Sequence, residues 1–271
     1  MRSGHKLSDA SGDLPGPGSI INSSLLSASG FRHAFFSRLG GVSLPPFESL
    51  NFSVTVGDDP DAVAENMARA ADALRLQPDR LLFLNQVHGT ACHLASRQDD
   101  AAAVRSSQGD AVLSPDPQVA CCVRVADCGP LLIADRRSGW VAAVHSGWKG
   151  TLQNIAGAVI RKLRGHVGPD AELVAALGPH IEACCFEVGQ DVADQLTAAS
   201  PDKDIVRPGK RERPHVDLRR MIHAQLLEAG VAESNIDHVR GCTFCQPERF
   251  FSYRREGKRS GRHLAGIVAR G

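Results

Sequence analysis

Residues 119–148 read VACCVRVADCGPLLIADRRSGWVAAVHSGW, and the fold is decided in this stretch. It contains the apolar runs Val119 to Val125, Leu131 to Ala134 and Trp140 to Val144, each of strand length and bounded by Asp, Gly or Pro. Several of these runs are apolar on both faces, so the sheet they build is expected to be covered on both sides. Working outward, Phe31 to Ser37, Leu81 to Leu84, Leu173 to Leu177 and Leu264 to Val268 carry the same signature.

Helical spacing appears between these runs. Asp58 and Asp59 followed by Pro60 supply cap chemistry and a first-turn proline for a helix to about Leu76. Leu152, Ile155, Ala156, Val159, Ile160 and Leu163 share one helical face, with Thr151 placed to cap it. Asp217 opens a third helix, with Leu218, Met221, Ile222 and Leu226 on one face and Gly230 just past its end. Strands and helices do not alternate strictly, which favours an α+β fold of layered mixed β-sheets flanked by helices. Residues 1–18 are rich in Gly, Ser, Asp and Pro without periodicity and read as a disordered tail; residues 19–271 read as one domain.

Of the 271 residues, 42% are apolar and 23% charged, the balance of a globular chain with a sizeable core. A net charge of +1 gives no field to gather a polyanion, so nucleic acid is not the expected partner. No apolar run spans a bilayer and no secretory leader is visible, so no membrane partner and a cytoplasmic location are expected. The eight cysteines include the adjacent pairs Cys121/Cys122 and Cys184/Cys185, a poor pattern for a disulfide scaffold. Free thiols in a reducing compartment, some of them chemically engaged, fit better.

His88, Cys128 and His145 close three strand-like runs, each with glycine or proline close behind. Two imidazoles and a thiolate make a three-ligand set for a catalytic metal, with one position left open. Taken singly, a strand-end histidine is more often a satisfied polar residue than a ligand, and a lone cysteine is usually core filling.

The segments FFSRLGGVS, LNQVHGT, GDAVLS, VRVADCGPLLIAD, VAAVHSGWKGT, LGPHIEACCFEVG and FFSYRREGKRSGRHLAGIV follow one another between residues 31 and 268. In content and order they resemble the signature blocks of the YfiH-like laccase-domain family, formerly called multicopper polyphenol oxidase and also described as purine nucleoside phosphorylase. The resemblance implies a metal centre at His88, Cys128 and His145, and a layered α+β fold like that of a bacterial deamidating toxin with a Cys-His centre. Two departures stand out: Ser146 replaces the family's usual alanine, and Phe52 to Val56 lacks a histidine often found before GDDP.

The resemblance implies phosphorolysis of purine nucleosides (adenosine, inosine, methylthioadenosine) and deamination of adenosine. Zn2+ is the expected ion, with Cu2+ possible because copper outcompetes zinc at nitrogen and sulfur donors. Arg38, Lys149 and Arg254, each within a signature block, are the candidates to hold phosphate, and Asp127 or Glu187 to move protons. Copper-dependent phenol oxidation is an alternative, but the 11 histidines contain no His-x-His pair for a multicopper cluster. Cys128 could instead be the nucleophile of an amidase or peptidoglycan-editing hydrolase. In a non-catalytic reading, the C-x-x-C of Cys242 and Cys245 would supply a fourth ligand to a closed structural site.

Overall fold

The computed structural model describes residues 18–209 and 213–271; the expectation of a disordered tail lies outside the described residues except at Gly18. In chain order the strands are β1 (Ile20–Ile21), β2 (His33–Phe36), β3 (Leu81–Leu82), β4 (Cys92–Leu94), β5 (Ala111–Ser114), β6 (Ala120–Val125) and β7 (Gly129–Asp135). They continue with β8 (Val141–Ser146), β9 (Leu173–Leu177), β10 (Val206–Arg207), β11 (His215–Val216), β12 (Ile236–His238) and β13 (His263–Val268). The helices are α1 (Ser24–Ala28), α2 (Pro60–Ala73), α3 (Ala101–Ser106), α4 (Trp148–Leu152), α5 (Ile155–Val167), α6 (Gln190–Ala199), α7 (Leu218–Glu228) and α8 (Tyr253–Glu256).

Two mixed sheets carry the fold, ordered β1-β2-β13-β6-β3 and β12-β9-β7-β8-β5-β4, with β10 and β11 forming a separate ribbon. The period-two geometry of a strand explains the double-sided apolar runs. Cys121 and Val123 of β6, Leu132 and Ala134 of β7, and Val141 and Ala143 of β8 meet in one core between the sheets. The intervening Leu131, Ile133, Ala142 and Val144 face α5 and α7 instead. On the other side, Ala120 and Cys122 join Met67, Ala70 and Ala71 of α2 and Leu74 just past its end. The result is helix, sheet, sheet, helix, the layered α+β arrangement expected. Each leucine or valine fully buried in these layers contributes about 1.5–3 kcal/mol.

Local chemistry sets the helix ends. Asp59 accepts from the backbone N–H of Asp61, and Asp217 from that of Arg220. The expected helix start at Thr151 is corrected by the structure. Thr151 lies inside α4, and the chain breaks at Gln153 and Asn154 before α5 begins. Asn154 adopts a left-handed φ of 54° and caps α5 by accepting from the N–H of Gly157 at 2.9 Å. The apolar spacing runs across this break, which is why spacing alone merges the two helices. No helix among the described residues is long and apolar enough to cross a membrane.

Asn154→Ala should cost about 1–2 kcal/mol, because it removes the cap and leaves a Cβ residue in a left-handed conformation. Asn154→Gly should cost less, since glycine adopts that conformation freely. Chemical denaturation of both variants checks the order; equal losses would show that the conformation contributes nothing.

Candidate metal centre

The chain passes from one sheet to the other between β6 and β7, through only Ala126, Asp127 and Cys128. Asp127 makes the reversal in a left-handed conformation (φ 82°). Its carboxylate accepts from Thr243 Oγ1 at 2.6 Å and from the Arg254 N–H at 2.6 Å. Cys128 is therefore presented at a crossover pinned from two other segments. His145 continues the inward row of Val141 and Ala143 and is buried near the end of β8.

His88 differs from the strand-end expectation. β3 stops at Leu82, and His88 stands in a turn with φ 61°. What holds it is Asp110, a 1% exposed carboxylate that accepts from the N–H groups of His88 at 2.9 Å, Gly89 at 2.7 Å and Val87 at 3.2 Å. The same Asp110 bonds His145 Nδ1 at 2.7 Å, which leaves His145 Nε2 as the free donor atom. Burial opposes the charge on Asp110, but the bonds from His145, Gly89 and His88 hold its carboxyl below the usual range.

One donor atom each from His88, Cys128 and His145 lies within 4.8 Å of the others, and Cys128 Sγ is 3.8 Å from His88 Nε2. Zinc ligands at about 2.0–2.3 Å in a tetrahedron stand about 3.3–3.8 Å apart, so this N,N,S set fits one divalent ion with small adjustments. Burial works against ionising the Cys128 thiol, but the charge and hydrogen bond of His145, then His88, bring it down to about 6. Reciprocally, burial disfavours charge on His145, while Cys128 and Asp110 raise it to about 9. Both shifts favour the thiolate at Cys128, the form in which sulfur acts as a ligand or nucleophile.

Gly147 is needed for space. A Cβ there would meet His88 Cδ2 at 2.7 Å and Cys128 Sγ at 3.0 Å. Ser146, the departure from the family pattern, is fully buried and pairs its hydroxyl with Thr151 Oγ1 at 2.8 Å.

The donor set opens into a cavity of about 640 Å³. Arg254 lines it, together with Arg124, Arg262 and the aromatic rings of Trp148, Phe186 and Tyr253. Arg38 and Lys149 do not line it. The Arg38 guanidinium instead donates to the carbonyls of Glu48 and Pro247 and lies 4.5 Å over the Phe251 ring, and Lys149 Nζ sits 5.6 Å from the Trp148 ring. Asp127 lines the cavity with both carboxylate oxygens hydrogen-bonded, whereas Glu187 lies outside it, 3.8 Å from His215 Nε2. Ser53 and Thr55, from the other stretch that departs from the family, form part of the rim. Sequence reasoning missed Asp110, although it is the second residue of the GDAVLS block. It also missed Arg124, a guanidinium within the otherwise apolar β6.

The family model for multi-copper polyphenol oxidoreductase laccase matches residues 32–270. The chain belongs to this family. A purine nucleoside phosphorylase of Mycobacterium tuberculosis is 37% identical over 228 residues, covering 83% of this chain and 87% of the relative. Another, from Pseudomonas aeruginosa, is 38% identical over 240 residues, covering 88% and 92%. Among solved structures, YlmD of Geobacillus stearothermophilus superposes with a TM-score of 0.83 at 30% identity, over 94% of this chain and all of that one. The hypothetical protein YfiH of Bacillus licheniformis gives 0.85 at 28% identity, over 93% and 97%.

Removing Asp110 should release both histidines at once. Asp110→Ala is expected to weaken zinc binding at this centre by about 10–100-fold. Gly147→Ala should also displace the ion, with little change in the unfolding midpoint of the metal-free protein. Competition against a chromophoric chelator, with metal-free wild type as the stability control, measures both; wild-type affinity in Asp110→Ala would refute its role as a shared support.

Proposed function

We propose that this chain is a zinc-dependent purine nucleoside phosphorylase that also deaminates adenosine. The observation that carries the reading is an open three-donor centre facing a cavity of about 640 Å³ walled by aromatic rings and arginines. That volume lies in the range of small-ligand sites. Relatives named purine nucleoside phosphorylase, at 32–38% identity, support the substrate class.

Each part of the wall has a task. Trp148, Phe186 and Tyr253 offer apolar faces for a purine ring. Arg254 and Arg262 are the cations placed to hold phosphate oxygens, since a guanidinium can donate two parallel hydrogen bonds. The Arg124 guanidinium lies 4.4 Å over the Phe83 ring, and the Gln86 side-chain amide accepts from the Arg124 N–H and donates to its carbonyl. The phosphate role considered for Arg38 passes to Arg254 and Arg262 because they line the cavity and Arg38 does not. A divalent ion on His88, Cys128 and His145 supplies Lewis-acid activation at its open position. In phosphorolysis a phosphate oxygen bonds to ribose C1′ as the bond from C1′ to the purine breaks, giving free base and ribose 1-phosphate. Deamination replaces the C6 amino group with oxygen from water and releases ammonia, so it needs no phosphate.

The Cys128, His145 and Asp110 relay favours a second reading. A low-pKa thiol beside an imidazole oriented by a carboxylate is also the arrangement of a cysteine amidase. Chelation separates the two, since a thiol hydrolase keeps its activity when the metal is removed. Multicopper oxidation is not favoured: the candidate metal clusters among the described residues are this centre and a group of four cysteines, and neither supplies the many histidines such chemistry uses.

Inosine incubated with metal-loaded protein should yield hypoxanthine and ribose 1-phosphate only when phosphate is present. Arg254→Ala should raise the KM for phosphate more than the KM for nucleoside, since it removes an anion contact. Adenosine should still become inosine without phosphate. Equal base release in phosphate-free buffer, or no consumption of any purine nucleoside, sinks the proposal.

His88→Ala and His145→Ala should each abolish turnover while lowering the unfolding midpoint by only the few degrees due to lost metal. Circular dichroism melts of the loaded and chelated proteins check this. Global unfolding of both variants would point instead to a structural role for the centre.

A further inference from the structure

Cys242 and Cys245 do not complete the His88–Cys128–His145 set. They form a second cluster with Cys184 and Cys185, in which one sulfur from each lies within 4.8 Å of the others. Sheet topology explains the meeting. β9 and β12 are parallel neighbours, Ile236 opposite Ala175, so the chain leaves both strands at the same end of the sheet. The segments that follow stay paired: the His180 N–H donates to the Gly241 carbonyl and the Thr243 N–H to the His180 carbonyl, each at 3.1 Å. The next turns then bring together two cysteine pairs that are far apart in sequence.

The four thiols are grouped closely enough to close around one ion with small adjustments. Cys245 Sγ lies 3.1 Å from Cys185 Sγ and 3.6 Å from Cys184 Sγ, and all four cysteines are free. Sulfurs held at about 2.3 Å from one zinc ion stand about 3.8 Å apart.

We propose that Cys184, Cys185, Cys242 and Cys245 bind a second zinc ion in a closed, structural tetrathiolate site. Four protein ligands leave no position for water or substrate, in contrast to the three-donor centre. Binding releases the protons of those thiols that are not already ionised. The ion's role is to brace the cavity wall. Thr243, between the two ligands of the C-x-x-C turn, donates to Asp127, the residue that precedes Cys128. The carbonyls of Thr243 and Phe244 accept from Arg255, next to the cavity-lining Arg254. Phe186, another lining residue, directly follows Cys185.

Metal analysis tests the site independently of any nucleoside activity. Purified under reducing conditions, the chain should carry about two zinc equivalents, one per site. A Cys128→Ser/His145→Ala chain should keep one, and a Cys242→Ser/Cys245→Ser chain should lose one and melt at a lower temperature. Misfolding of the second variant does not decide the matter, because the first is also loaded with cobalt(II). One equivalent should give an intense thiolate-to-cobalt charge-transfer band with tetrahedral d–d absorption. The proposal is overturned if the Cys128→Ser/His145→Ala chain holds no zinc and develops no such band. It is equally overturned if mass spectrometry of the reduced preparation finds Cys185 and Cys245 joined as a disulfide.

Discussion

One buried carboxylate organises the candidate centre. Asp110 spends one face on His145 and the other on the turn that carries His88, so two ligands from distant segments share a single support. A carboxylate removed from water at 1% exposure is costly unless every oxygen is bonded, and here every bond it makes positions a donor or the turn beneath it. The left-handed conformation of His88 is affordable only because three consecutive N–H groups converge on that one acceptor. Cys128 is fixed by the corresponding arrangement on the other side, where Asp127 is held by Thr243 and Arg254.

Much of the fold was legible because its central strands are long, apolar and bounded. Leu173–Leu177 coincides with β9, and the runs around β6, β7 and β8 lie within a few residues of the strands. The missing elements had no such signature. β1, β10 and β11 are two residues long, and α6 buries only Ala193 and Leu196, too little for an apolar stripe. The break at Asn154 was hidden because the spacing of apolar residues does not record a change of backbone hand.

The donor set and its supports differ in the same way. His88, Cys128 and His145 could be read because each stands in a local motif. Asp110 acts on residues 22 and 35 positions away, which no local pattern encodes. Among the cations, block membership did not distinguish Arg38, which lies outside the cavity, from Arg254, which lines it. Arg124 offered a physical signal that was passed over: a guanidinium in a strand buried on both sides needs a reason to be there.

The two halves of the cavity are attached to different layers. Arg124 and Arg262 stand at one end of the five-stranded sheet, while His145 and α4 extend from the six-stranded one. The separation of Arg124 and Arg262 from His145 therefore depends on the core between the sheets, where Val123, Leu132 and Ala143 pack together. That core works as a spacer gauge. A methylene added or removed there, away from the cavity lining, changes the separation of the two walls, and so the length of molecule that fits.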